Sequence, residues 1–78
     1  MNDIKFDKEL DCLGLYCPVP IMKTAQVINT MKSGEVLEVI ADDIGILKDM
    51  PAWAMTTGNG FLGAKTEGDI YKVYVKKK

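Results

Sequence analysis

The chain has 78 residues, 47% hydrophobic and 27% charged, with a formal net charge of −1. That length suits one domain, residues 1–78, with a small core and no room for a separate cofactor domain. All ten basic residues are lysine and histidine is absent, which argues against a dedicated nucleic-acid reader, a Cys-His catalytic dyad and a histidine-completed zinc site.

The opening Met1-Asn2-Asp3-Ile4-Lys5 has no basic-then-apolar export pattern, and no apolar run approaches the roughly 20 residues of a membrane span. A cytoplasmic chain with no membrane contact and two reduced thiols, Cys12 and Cys17, is the expectation. From Ile4 to Cys12 the residues alternate: Ile4, Phe6, Leu10 and Cys12 share an inward face, and Lys5, Asp7, Glu9 and Asp11 a wet one. This predicts a strand. Leu13 to Tyr16 then turns the chain at Gly14, and Cys17-Pro18-Val19-Pro20 opens a helix. Proline is favoured at the first helical position because its missing N–H would have had no partner there, so Pro18 reads as that position and Cys17 as the cap before it.

In the helix from Pro18 to Ser33, Ile21, Ala25, Ile28 and Met31 form an apolar stripe, Lys23, Gln26, Asn29 and Lys32 face water, and Gly34 serves as the C-terminal cap. Glu35 to Ala41 is a strand with Leu37, Val39 and Ala41 on one face and Val36, Glu38 and Ile40 on the other; strand–helix–strand predicts a parallel pair. Asp42 or Asp43 caps a second helix, about Gly45 to Thr57, with Ile46, Met50, Trp53 and Thr57 on its stripe. Pro51 either kinks this helix or lies in a first turn that begins near Asp49. Met22, Met50, Met55 and Trp53 read as core filling. Two strands, Phe61–Thr66 and Ile70–Lys76, flank the turn Glu67-Gly68-Asp69. Lys72, Lys76, Lys77 and Lys78 read as a solvated strand edge, with a docking patch for an acidic partner or RNA as the alternative. The order β-α-β-α-β-β predicts an α+β fold: a two-layer α/β sandwich with two helices on one face of a four-stranded mixed sheet.

A helix N-terminus carries about half a positive charge and favours a thiolate, so Cys17 is expected to have a lowered pKa near ambient pH. Lys23 would add positive potential from farther along the helix. Cys12 continues the inward face of the first strand and reads as core; a resolving thiol for Cys17 is the alternative. Asp42 and Asp43 read as caps rather than metal ligands, because two adjacent carboxylates make a poor cation site alone. No metal site or cofactor is expected.

The stretch Leu10-Asp11, Gly14 and Cys17-Pro18-Val19-Pro20 resembles the Cys-Pro-x-Pro signature of the TusA/SirA-like family of small sulfur carriers. The resemblance extends to Met31-Lys32-Ser33-Gly34-Glu35, Asp42-Asp43, Lys48-Asp49-Met50-Pro51 and Trp53, nearly the whole chain. It implies the same two-layer sandwich. It also implies that Cys17 accepts sulfur as a persulfide from a donor protein, a cysteine desulfurase or rhodanese-like protein, and passes it to an acceptor protein. Gly14, Pro18 and Pro20 would shape the site, and Leu15, Tyr16, Val19 and Lys23 would meet partners. Relatives in transfer-RNA thiolation have an acidic residue between the prolines and an arginine before the cysteine; Val19 and Tyr16 stand there in this chain. Two other readings are a thiol redox module using a Cys12–Cys17 disulfide and a non-enzymatic regulatory or RNA-associated module.

Overall fold

The computed structural model describes residues 4–78; Met1, Asn2 and Asp3, which open the stretch read for an export pattern, lie outside the described residues. The element order is β1 (Lys8–Cys12), α1 (Val19–Ile28), β2 (Val36–Ala41), α2 (Ile46–Thr57), β3 (Gly60–Glu67) and β4 (Ile70–Lys76). The strands form one mixed sheet in the order β1-β2-β4-β3, in which β1 and β2 are parallel and the other pairs antiparallel. Helix α1 packs on β1 and β2, α2 on β3 and β4, and the helices touch each other. This is the two-layer α+β sandwich expected from the order of elements.

Alternation settles which face of the sheet is covered by helices. Leu37, Val39 and Ala41 of β2 and Val73 and Val75 of β4 are fully buried, together with Cys12, Ile46 and Met50. On α1 the buried line is Pro20, Thr24 and Ile28, so the expected stripe is rotated: Ile21 and Ala25 are half-buried. Thr24 is tolerated in the core because its hydroxyl donates to the Pro20 carbonyl at 2.8 Å. Ala54 completes the buried line of α2, while Trp53 and Thr57 stand half-buried beside it. That helix runs through Pro51 rather than starting at it. Met22 and Met55 are not core; Met55 is 83% exposed.

Two further expectations are corrected. Helix α1 ends at Ile28 with Asn29 as its cap, and a chain of turns separates it from Gly34. The lysine-bearing strand β4 is interior, paired on both sides, so Lys72 and Lys76 do not guard an edge.

The first strand is shorter than its alternation suggests, beginning at Lys8. Ahead of it the chain crosses the face of the sheet away from the helices. Phe6 lies against Tyr74 with ring centroids 6.1 Å apart, and Ile4 approaches Gly63, where an added Cβ would sit 3.1 Å from Ile4 Cδ1. Ile4 and Phe6 therefore leave the inward set they were assigned to and cover the opposite face, where Tyr74 is buried and donates to Glu38 Oε2 at 2.6 Å.

Glu9 neighbours Glu38 in the parallel register. Its carboxyl is held above the ordinary 4.5, first by a hydrogen bond with Glu38, then by desolvation and the Glu38 charge, with Lys72 opposing. A raised carboxyl pKa means that the folded chain keeps a proton the unfolded chain releases; the resulting stability is full below pH 4.5 and is lost as pH rises through the folded value. Glu9→Gln keeps a donor at every pH, so the urea midpoint of the parent should fall relative to that of the variant between about pH 4.5 and pH 7. Parallel pH profiles would refute a shared proton.

Candidate functional site

The parallel register pairs Cys12 with Ala41, so β1 and β2 end side by side and release their loops, residues 13–18 and 42–45, at one end of the sheet. Both helices begin at that end. The first loop turns at Gly14, whose φ of 78° is left-handed and disfavours any side chain. Leu13 N–H donates to Asp11 Oδ1 at 2.9 Å and Leu15 N–H to the Cys12 carbonyl at 3.2 Å, which closes the turn.

The two loops are fastened together by carboxylates. Gly14 N–H donates to both oxygens of Asp42, at 3.1 and 3.2 Å, and Cys17 N–H donates to Asp43 Oδ2 at 3.0 Å. The other Asp43 oxygen accepts from Gly45 N–H at 3.1 Å. These two backbone bonds hold the Asp43 carboxyl below its ordinary 3.8. Asp42 and Asp43 thus anchor the cysteine loop, and neither side chain caps α2, whose N-cap is Gly45.

Cys17 is exposed, but it is not the capping residue. The Cys17–Pro18 bond is cis, Pro18 is the cap, and Val19 is the first helical residue, with Pro20 behind it. Val19 N–H is already donated to the Tyr16 carbonyl at 2.9 Å, and neither proline has an N–H. The thiol instead donates to Asp49 Oδ2 from the first turn of α2. The expected lowering of the Cys17 pKa is overturned: the hydrogen bond with Asp49 comes first, then desolvation and the charges of Asp49 and Asp43, and together they push the thiol up to about 11. Lys23 acts on Cys12 instead, where it opposes a rise caused by burial.

Of the residues expected to meet partners, Tyr16 is 73% exposed, and Val19 and Lys23 are also exposed. Leu15 turns inward and packs against the core. Leu13, Met22 and Ile44 add exposed apolar groups on the two loops and the first turn of α1. Pro20 is buried, and Pro18 is exposed beside Cys17. A cavity of about 460 Å³ lies at the opposite ends of the helices, among Ala25, Ile28, Trp53, Thr57, Asn59 and Lys78, and Cys17 has no part in it. Among the described residues, no cluster of three or more His, Cys, Asp or Glu side chains could hold a metal ion. No helix among them is long and apolar enough to cross a membrane.

Asp49 is the residue that sequence reasoning missed. Its signal was its place in Lys48-Asp49-Met50-Pro51, near the start of a helix that follows a strand parallel to the one before Cys17.

Cys12 is fully buried and Cys17 exposed, so a thiol reagent at about pH 9 should modify one cysteine per folded chain, located at Cys17 by mass spectrometry. Cys17→Ser should abolish that modification, and Cys12 should react only in denaturant. Prompt labelling of Cys12 in the folded chain would contradict its burial.

Comparison with known proteins places residues 8–77 in the family described as "Sulfurtransferase TusA". The chain is similar to the sulfur carrier protein TusA of Allochromatium vinosum, 47% identical over 72 residues, covering 92% of this chain and 95% of that one. YrkI of Bacillus subtilis is 43% identical over 74 residues, covering 95% and 99%. In fold, the chain matches the crystal structure of a SirA-like protein from Desulfitobacterium hafniense with a TM-score of 0.79 at 18% identity, over 90% of this chain and 96% of the other.

Proposed function

The chain belongs to the TusA sulfurtransferase family of sulfur carriers, and from that premise we propose that Cys17 carries the sulfur as a persulfide between a donor and an acceptor protein. The observation that carries this reading is that Cys17 is the exposed thiol of the two cysteines, held by its own backbone N–H at the end of the sheet where both helices start. In the loading step the Cys17 thiolate attacks the terminal sulfur of a donor persulfide. The new S–S bond forms on Cys17, the donor's S–S bond breaks, and the donor cysteine leaves as a thiolate. Unloading is the same exchange, with Cys17 as the leaving thiolate.

A carrier thiol must be reached by two partners in turn, and Tyr16, Val19, Leu13, Met22 and Ile44 offer apolar contact around it. We assign these exposed groups to docking, with Gly14, Pro18 and Pro20 shaping the loop and helix start behind them. The donor fits the chemistry of a cysteine desulfurase or rhodanese-like protein, which presents a cysteine persulfide. Free thiols are kept reduced in the cytoplasm, and the carrier is assigned there. The redox alternative is disfavoured by Cys12, which is 0% exposed and belongs to the packed core, out of reach of a thiol–disulfide partner, while Cys17 stands exposed.

Treatment of the reduced protein with glutathione persulfide at about pH 8.5, followed by intact-mass measurement, tests the reading. A gain of one reducible sulfur, retained in Cys12→Ser and lost in Cys17→Ser, is the expected result. No gain in the parent, with a Cys12–Cys17 disulfide forming under mild oxidant, would replace the carrier reading with the redox one.

A further inference from the structure

The carrier reading does not account for the carboxylate set against its thiol. Asp49 is half-buried in the first turn of α2, on a helix anchored by Ile46, Met50 and Ala54 in the core, and its Oδ2 accepts the Cys17 thiol hydrogen bond. The other charged group acting on Sγ is Asp43, from the loop between β2 and α2, which is also acidic. On α1 the nearest lysine in sequence, Lys23, acts on Cys12. The thiol therefore faces negative groups from both elements packed against its loop, and a site arranged for spontaneous thiolate attack would present the opposite sign.

We propose that Asp49 is a positioning residue that holds the proton on Cys17 in the resting carrier, so that the thiol is slow towards small diffusible electrophiles and oxidants. The proposal rests on Cys17 being the carrier thiol. A carrier that waits unloaded between partners is exposed to alkylation and to oxidation beyond the reversible steps, and both run through the thiolate. The cysteine is exposed, so burial does not protect it; the protection lies in protonation. The proton is not consumed. When Cys17 is loaded it passes to the leaving donor thiolate, so that thiol plus donor persulfide gives carrier persulfide plus donor thiol.

The test is the rate of alkylation of Cys17 by iodoacetamide from about pH 6 to pH 12 in the parent, Asp49→Asn and Asp49→Glu, with thermal melts to verify folding across the range. The parent's inflexion is expected near 11. In Asp49→Asn it should fall toward the ordinary 9.0, without going below it, because desolvation and Asp43 still act. A fall of about two units raises the thiolate fraction about 100-fold and lowers nucleophilicity about tenfold, so the rate near pH 7.5 should rise up to about tenfold. Asp49→Glu, which keeps the charge, should stay close to the parent.

An unchanged inflexion in Asp49→Asn would overturn the proposal, and so would a rate increase that is uniform across the pH range, since that reports mere loosening of the loop. Sulfur gain from glutathione persulfide, measured in parallel, separates the two readings. If the parent takes no sulfur at any pH, the carrier reading fails; if it loads and Asp49→Asn has the parent's pH profile, only the role of Asp49 fails.

Discussion

The site depends on carboxylates of one loop accepting backbone N–H groups of the other. Asp42 holds Gly14 and Asp43 holds Cys17, and without these bonds the six-residue segment 13–18 would be a surface loop with its own conformational freedom. The arrangement is possible because β1 and β2 are adjacent and parallel. Cys12 opposite Ala41 sets the start of each loop beside the other, so an aspartate immediately after β2 reaches a glycine two residues after β1. An antiparallel pair would have put these loops at opposite ends of the sheet.

Within that frame two electrostatic influences compete for the Cys17 sulfur. A helix end is worth about 0.3–1 kcal/mol to a nearby surface charge, while a hydrogen bond to a charged group is worth about 1.5–3 kcal/mol. The helix end is further weakened here, because Cys17 sits one residue outside the cap, Val19 has given its N–H to Tyr16, and prolines occupy positions on either side of Val19. The direct bond to Asp49 prevails. The reading of an activated thiolate from the Cys-Pro-x-Pro stretch failed for this reason: it weighed the local backbone and had no means of placing a carboxylate that lies 32 residues away.

Period-two alternation made β2 and β4 legible, since each has a face with no polar residue among Leu37, Val39, Ala41, Val73 and Val75. It misled at the N-terminus, where Ile4 and Phe6 keep the same phase as Leu10 and Cys12 although the chain is held to β2 only as far back as Asp7 and ahead of it crosses to the other face. Phase cannot report a change of direction. The small helical stripes were also ambiguous: with Thr24 satisfying its hydroxyl on Pro20, polarity at that position no longer marks the wet side of α1. Tyr16 and Val19 could be singled out because they flank the cysteine in sequence, whereas Ile44 belongs to the surface only through the parallel register.

The two cysteines show how much of thiol chemistry is set by placement. Five residues apart, both are held above the ordinary range, but for opposite reasons: Cys12 by loss of water in the core, Cys17 chiefly by a carboxylate at the surface. The first restraint is relieved when the core around Cys12 opens, because its side chain is fully buried among Leu37, Val39 and Ala41. The second is held chiefly by a hydrogen bond to the half-buried Asp49, with the Asp43 charge beside it, and both carboxylates lie outside the core. A thiol that must stay quiet in solution and react on contact needs a restraint of the second kind.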